Sequence, residues 1–415
     1  MEKTKPFNIP KQLFAQAYRL VKANAGAAGV DKESLTDFER NLKDNLYKIW
    51  NRMSSGSYIP PAVRAVSIPK KSGGHRVLGI PTVSDRIAQM VVKLVFEPEV
   101  EPHFLFDSYG YRPNKSALDA VAVTRQRCWQ FDWVLEFDIR SLFDNISHEL
   151  LMKAVRKHTQ NKWVLLYIER WLKAPMQQDG QLIARNCGTP QGGVISPVLS
   201  NLFLHYVFDK WMQRQYPDIS WCRYADDGIA HCKTEEIAQE LLLALNQRFS
   251  ECELEMHPDK TRIIYCKDGK RKGKYQNISF DFLGYTFRPR LVENRKQGSL
   301  FTGYTPAVSK SAQKSMRAKT KSFRWYKRSE LSLEEIARKV NPTLQGWLNY
   351  YGKFHPSAMS SVWRHFNKSL VAWVMKKYKR FRGHKTRAAK YIKGIADKQP
   401  FLFVHWRVGM QGAFA

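Results

Sequence analysis

Trp221-Cys222-Arg223-Tyr224-Ala225-Asp226-Asp227-Gly228-Ile229-Ala230-His231-Cys232 reads as two short strands joined by a tight turn, with Ala225-Asp226-Asp227-Gly228 at the tip. Two adjacent carboxylates on one turn repel each other, a poor choice for stability alone. A bound cation reverses that cost. All-oxygen donors of this kind suit Mg²⁺, which takes one or two carboxylates and completes its shell with water and substrate phosphates.

A third carboxylate lies upstream. Trp133 to Ile139 alternates as a strand, with Trp133, Leu135, Phe137 and Ile139 on one face and Val134, Glu136 and Asp138 on the other. Asp138 therefore ends a strand on the face opposite the apolar one. Three acids that converge on two ions about 3.5–4 Å apart would serve an in-line phosphoryl displacement.

The order of short blocks along the chain gives these acids a context. Phe137-Asp138-Ile139-Arg140-Ser141-Leu142-Phe143-Asp144 comes first. Gly188-Thr189-Pro190-Gln191-Gly192-Gly193-Val194-Ile195-Ser196-Pro197 follows, then Tyr224-Ala225-Asp226-Asp227. His257-Pro258-Asp259-Lys260-Thr261 and Phe282-Leu283-Gly284-Tyr285 close the series. In this order they resemble the conserved blocks of reverse transcriptases. The flanks narrow the resemblance. Asn24 to Asp31, Ile68-Pro69-Lys70 through Pro81, Ser108-Tyr109-Gly110-Tyr111-Arg112-Pro113 and Leu344 to Tyr351 are similar to bacterial group II intron-encoded reverse transcriptases/maturases. With no Cys-containing endonuclease spacing, the chain looks like the short, endonuclease-less (class IIC-like) form.

The resemblance implies a mixed α/β (α+β) fold: a right-hand polymerase with fingers and palm around an antiparallel sheet, followed by an α-helical thumb. It implies Asp138, Asp226 and Asp227 as catalytic metal ligands, with the Ile139 carbonyl adding an oxygen. Two Mg²⁺ ions are expected, with Mn²⁺ as a substitute. Phe143 would lie beneath the incoming sugar and reject a 2′-hydroxyl. Lys70 and Arg76 flank the expected fingers turn and would bind the triphosphate, Arg bidentately and Lys as a point charge. Gln191 would shape the nucleotide pocket, and Lys260 would approach the leaving pyrophosphate. Pro190, Gly192, Gly193 and Tyr224 would line the primer/template pocket, where glycine permits close backbone approach.

Charge points the same way. The 415 residues hold 68 Lys and Arg against 37 Asp and Glu, a net of +31. From Arg288 to the end there are 28 basic and 5 acidic residues, a net of +23. Such an excess repels itself unless a polyanion partner is present. The expected partners are an RNA template, a DNA primer and a dNTP, with structured intron RNA gripped by the basic thumb. Six scattered cysteines form no zinc spacing and fit free thiols in a reducing cytoplasm. No run of about 18 apolar residues predicts a membrane span, and no apolar leader predicts a signal peptide.

The expected organisation is an N-terminal extension (1–60), fingers and palm (61–287), a thumb/maturase domain (288–385) and a short basic tail (386–415). A hairpin is expected over 63–81. A helix should run from Ser84 to Glu97, closed by Pro98 and Pro102. A Gly/Ser/Asn/Lys loop is expected after residue 288, ahead of helices near 308–325, 332–353 and 357–380. The leading function is an RNA-directed DNA polymerase of a mobile intron that also aids splicing. Two alternatives stay open: an RNA-binding maturase with an idle polymerase, and a reverse transcriptase recruited to host defence or DNA repair.

Overall fold

The computed structural model describes residues 5–69, 74–294 and 298–410. Lys70 lies outside the described residues. Elements run in chain order as α1 Gln12–Asn24, α2 Leu35–Arg40, α3 Leu42–Ser54, β1 Val63–Pro69, β2 His75–Ile80, α4 Val83–Val100, α5 Ala117–Gln130 and β3 Trp133–Asp138. The middle of the chain forms α6 Leu142–Asn145, α7 His148–His158, α8 Lys162–Lys173, β4 Met176–Gln178, β5 Gln181–Ile183, α9 Ser196–Leu204, α10 Lys210–Gln215, β6 Ser220–Tyr224, β7 Asp227–Cys232 and α11 Glu235–Glu251. The last part holds β8 Arg262–Tyr265, β9 Phe280–Phe282, β10 Tyr285–Asn294, β11 Ser299–Val308, α12 Lys310–Ser322, α13 Leu333–Tyr351, α14 Ser360–Lys377, α15 Lys385–Lys398 and α16 Val404–Arg407. The fold is mixed α/β, as expected.

Two compact units divide the chain: residues 1–120 with 135–262, and residues 121–134 with 263–415. The division passes within β3 and β8.

The first unit contains two sheet regions. In one, β1 pairs antiparallel with β2 in the register Ile68↔Arg76, and parallel with β4 at Val63↔Met176. In the other, β6 and β7 form the expected hairpin, closed at Tyr224↔Asp227, and β7 lies beside β3. Strand β3 forms as expected, but it is covered on both faces: Leu135 and Phe137 are at 0% and 1% exposure, and Val134 on the opposite face is at 0%. Helix α4 differs from expectation. It runs through Pro98 to Val100, with Phe96 and Val100 fully buried. Proline in the last turn removes one backbone hydrogen bond, and two buried side chains offset that loss.

The second unit corrects two expectations. The loop placed after residue 288 is instead a long antiparallel hairpin, β10–β11, in the register Tyr285↔Val308 through Asn294↔Ser299. Its pairing holds together strands whose local composition is turn-like. Residues 386–410, within the stretch expected as a short basic tail, are packed rather than free. Helices α15 and α16 place Ile392, Phe403 and Trp406 in the same core as Leu344, Phe366 and Trp373. Asn367 fixes the end by accepting from Trp406 Nε1 at 3.1 Å and donating to the Met410 carbonyl at 3.0 Å. The apolar spacing of Ala388, Ala389, Ile392 and Ala396 was visible in sequence, but the dense Lys and Arg masked it.

Candidate active site

Local geometry brings the three acids together. Asp138 ends β3, and its carbonyl accepts from the His257 N–H at 2.8 Å. One residue on, the Ile139 N–H donates to the Asp226 carbonyl at 3.3 Å, tying the end of β3 to the tip of the β6–β7 hairpin. Ala225 takes φ 56° there, a conformation non-glycine residues rarely adopt. Such strain persists only where surrounding contacts impose it.

Those contacts are close and specific. A Cβ on Gly228 would lie 2.1 Å from Phe137 Cζ, and one on Gly110 would lie 2.4 Å from the Ala225 N. Below the tip sits Arg223, fully buried. It donates from Nε and Nη2 to the two Asp209 oxygens, each at 2.8 Å, from Nη2 to Ser108 Oγ at 2.8 Å, and from Nη1 to the Ala225 carbonyl at 3.1 Å. Burial works against the Asp209 charge, yet the guanidinium and His205 outweigh it and hold its carboxyl below the ordinary range. Asp209 closes a π turn, His205–Asp209, between α9 and α10. One extra residue in the turn re-aims a side chain, a device common near functional sites.

Electrostatics at the tip are those of crowded acids. Burial first, then the Asp226 and Asp138 charges, push the Asp227 carboxyl up to about 8. Burial and Asp138 also raise Asp226. Lys260 Nζ stands 2.7 Å from Asp138 Oδ2. Burial opposes its charge, but Asp138, Asp227 and Asp226 outweigh that and raise the ammonium. The turn His257–Thr261 delivers it, with Lys260 N–H and Thr261 N–H both donating to the His257 carbonyl. Among the described residues no His, Cys, Asp and Glu cluster forms a ready-made cage of three or more for a metal. The three carboxylates nevertheless suit a hard divalent ion, because a cation offsets the mutual repulsion of crowded acids.

Apart from Lys70, the other expected residues belong to the first unit. Phe143 lies on α6, and its ring stands edge-on to Tyr111 at 6.4 Å. The Tyr224 ring lies tilted to Tyr111, 6.5 Å between centroids. Arg76 is exposed on β2 and close enough to act on the Tyr111 hydroxyl, which burial and then Asp226 raise. The Pro190–Gly193 turn closes with the Gly193 N–H donating to the Pro190 carbonyl at 3.0 Å. Gln191 accepts from the Gly79 N–H at 2.8 Å, through its carbonyl, which fastens the turn to β2. Gly192 needs φ 116°, and a Cβ there would lie 2.6 Å from the Gly79 carbonyl. Gln89 Oε1 accepts from the Val194 N–H at 2.7 Å, and Asp85 holds that glutamine from behind at 3.0 Å.

Sequence reasoning missed Tyr111, Arg223, Asp209 and Gln89 as site residues. Tyr111 lay inside a block already noted. An arginine inside an otherwise apolar strand marked Arg223. Nothing marked Asp209 or Gln89, because their roles arise from contacts 14 and 105 residues away in sequence.

The second unit carries a patch of a different kind. Arg125 on α5, Arg288 and Arg290 on β10, and His355 after α13 act on one another. Burial and then Arg290, Arg125 and Arg288 push the His355 imidazole down. Burial and then Arg288 lower the Arg290 guanidinium to about 10. Among the described residues none of these arginines has a carboxylate ion pair.

Residues 68–287 match the family model described as reverse transcriptase (RNA-dependent DNA polymerase). Residues 313–391 match that of the group II intron maturase-specific domain. Among curated proteins, the chain is 32% identical to Protein YkfC of Escherichia coli over 326 residues, covering 68% of this chain and 81% of that protein. It is also 32% identical to the group II intron-encoded protein LtrA of Lactococcus lactis over 196 residues. That match covers 46% of this chain but only 32% of LtrA. A solved structure of telomerase from Candida albicans overlaps 91% of this chain and 68% of its own, with 12% identity and a TM-score of 0.46. At that level the likeness carries no argument.

Proposed function

Because this chain belongs to the reverse transcriptase family and carries a group II intron maturase-specific domain, we propose that it extends a DNA primer along an RNA template by two-metal nucleotidyl transfer and assists the splicing and mobility of an intron RNA. The observation that carries the reading is the convergence of Asp138, Asp226 and Asp227, with Asp227 pushed up to about 8 by burial and its two acidic neighbours. Asp138, Asp226 and Asp227 would hold divalent ions, with the Ile139 carbonyl as a further oxygen; such ions would supply a lowered pKa for the primer 3′-hydroxyl and offset charge on the departing pyrophosphate. Mg²⁺ is the expected ion, with Mn²⁺ as substitute.

The protein's own groups do the rest. Arg76 and Lys260 face the site as cations suited to phosphate oxygens. Lys260 would exchange its present partner, Asp138, for the pyrophosphate. Lys70, outside the described residues, is assigned to the triphosphate with Arg76. Phe143, braced by Tyr111, presents a ring suited to rejecting a 2′-hydroxyl by collision. Gln191, Pro190, Gly192 and Gly193 form a turn pinned to β2, a rigid wall for nucleotide and primer, and Tyr224 completes it. Residues 61–287 would act as fingers and palm, and residues 288–385 as thumb and maturase domain. Arg125, Arg288 and Arg290, short of counter-charges, are suited to RNA phosphates. No helix among the described residues is long and apolar enough to cross a membrane. All six cysteines are free, which agrees with a cytoplasmic site of action.

Primer extension on an RNA template tests this. The wild type should incorporate dNTPs in Mg²⁺, and Asp226→Ala should lower the rate by at least about 10³-fold, the loss of one centre of charge stabilisation. If the wild type extends no primer yet promotes splicing, the maturase-only reading replaces this one.

A further inference from the structure

The first unit contains a cavity of about 510 Å³ whose lining includes His205 of the π turn but none of the three acids. Its charged wall is one-signed: Lys157, Lys210 and Arg214 line it, and no Asp or Glu does. Among the described residues these three have no carboxylate ion pair. Lys210 Nζ only donates to Gln213 Oε1 at 2.9 Å, and Lys157 Nζ stands 5.0 Å over the Tyr206 ring. The smaller cavity beside His148 differs. There Glu169 pairs with Lys173 at 2.9 Å and with Arg156 at 3.9 Å, so its charges are balanced.

The rest of the wall is aromatic. His158 Nε2 lies 2.7 Å from the Tyr206 hydroxyl, His103 stands edge-on to His158 at 4.7 Å, and His205 stands edge-on to Tyr206 at 5.1 Å. Burial first, then His103, His205 and Lys157, push the His158 imidazole down to about 4. So the cavity gathers cations and flat rings in a volume of the range that small-molecule sites occupy, roughly 300–1,000 Å³.

We propose that this cavity binds one phosphorylated small molecule of nucleotide size, its phosphate on Lys157, Lys210 and Arg214 and its base against Tyr206 and His103. Charged hydrogen bonds to phosphate and stacking on flat rings are the two interactions such a wall supplies. A cavity of about 510 Å³ has room for one nucleotide-sized molecule rather than for a length of strand. Position gives the site a consequence. His205 opens the π turn whose last residue, Asp209, grips Arg223, and Arg223 holds the Ala225 carbonyl at the catalytic tip. An occupant would therefore touch the element that supports the hairpin.

Isothermal titration of the full chain in EDTA tests the site without catalysis, so its failure leaves the polymerase reading standing. Probes are AMP, adenosine and inorganic phosphate, with a 12-nucleotide RNA as comparison. AMP should bind one-to-one. Lys210→Ala/Arg214→Ala, with an unchanged melting temperature, should weaken it by at least about ten-fold, the loss of charged hydrogen bonds, while Arg76→Ala should not. Adenosine and phosphate should each bind more weakly than AMP. The proposal is overturned if AMP does not saturate one site, if the double variant binds it unchanged, or if adenosine or phosphate binds as tightly. It also fails if only the RNA loses affinity in the double variant, which would make the cavity an RNA contact.

Discussion

Gly228 and Gly110 show how closely the carboxylates are held. Neither position has room for a methyl group, because Phe137 Cζ and the Ala225 N stand 2.1 and 2.4 Å from the added carbons. Gly228→Ala or Gly110→Ala should shift the hairpin by about 1 Å. Misplacement on that scale costs roughly 10²-fold in rate, so primer extension should fall by about that factor while far-UV circular dichroism stays unchanged. Asp85 gives a second expectation at this scale. Tyr58, Trp171 and Gln89 all donate to its carboxylate, yet burial dominates and pushes it up to about 6. A carboxyl raised in the folded state gives stability that is full below its unfolded pKa near 3.8 and lost as pH rises through about 6. Melting temperatures of wild type and Asp85→Asn should therefore diverge between pH 4 and 6, with wild type losing about 3 kcal/mol relative to the variant. Parallel curves would show that Asp85 does not titrate there.

At the scale of elements, the C-terminal helices matter more than their composition suggests. Trp406 on α16 is fully buried, and its indole donates to Asn367 on α14. Truncating a buried Trp costs about 3–5 kcal/mol, so Trp406→Ala should expose the region after residue 310 to limited proteolysis and lower the melting temperature. A variant as resistant as wild type would contradict the packing of α16. The same scale shows where local reading succeeded and failed. Strand β3, the β6–β7 hairpin and the β1–β2 pair were legible because a period of two and turn residues are local signals. The β10–β11 hairpin was not, since its strands are stabilised by partners up to 23 residues away, as at Tyr285↔Val308. Residues of α15 carried a helical apolar spacing, but their charge favoured a tail.

For the whole molecule, charge sets the expectation. A net of +31, with +23 after Arg288, should make RNA binding strongly salt-dependent. Arg288→Ala/Arg290→Ala should weaken binding across RNA sequences and reduce the slope of log affinity against log salt by about 1.5, the share of two lost phosphate contacts. An unchanged slope would remove the Arg288–Arg290 patch from the RNA surface. The sequence by itself determined the family and the mixed fold and singled out three acids as candidates, because those readings rest on residue identity and order along a chain. Only the tertiary structure decided that Arg223, Asp209 and Gly110 hold the hairpin tip, that Tyr111 braces Phe143, and that three unpaired cations share a cavity. Those facts depend on which distant segments touch, and contact across 14 to 115 residues leaves no local pattern to read.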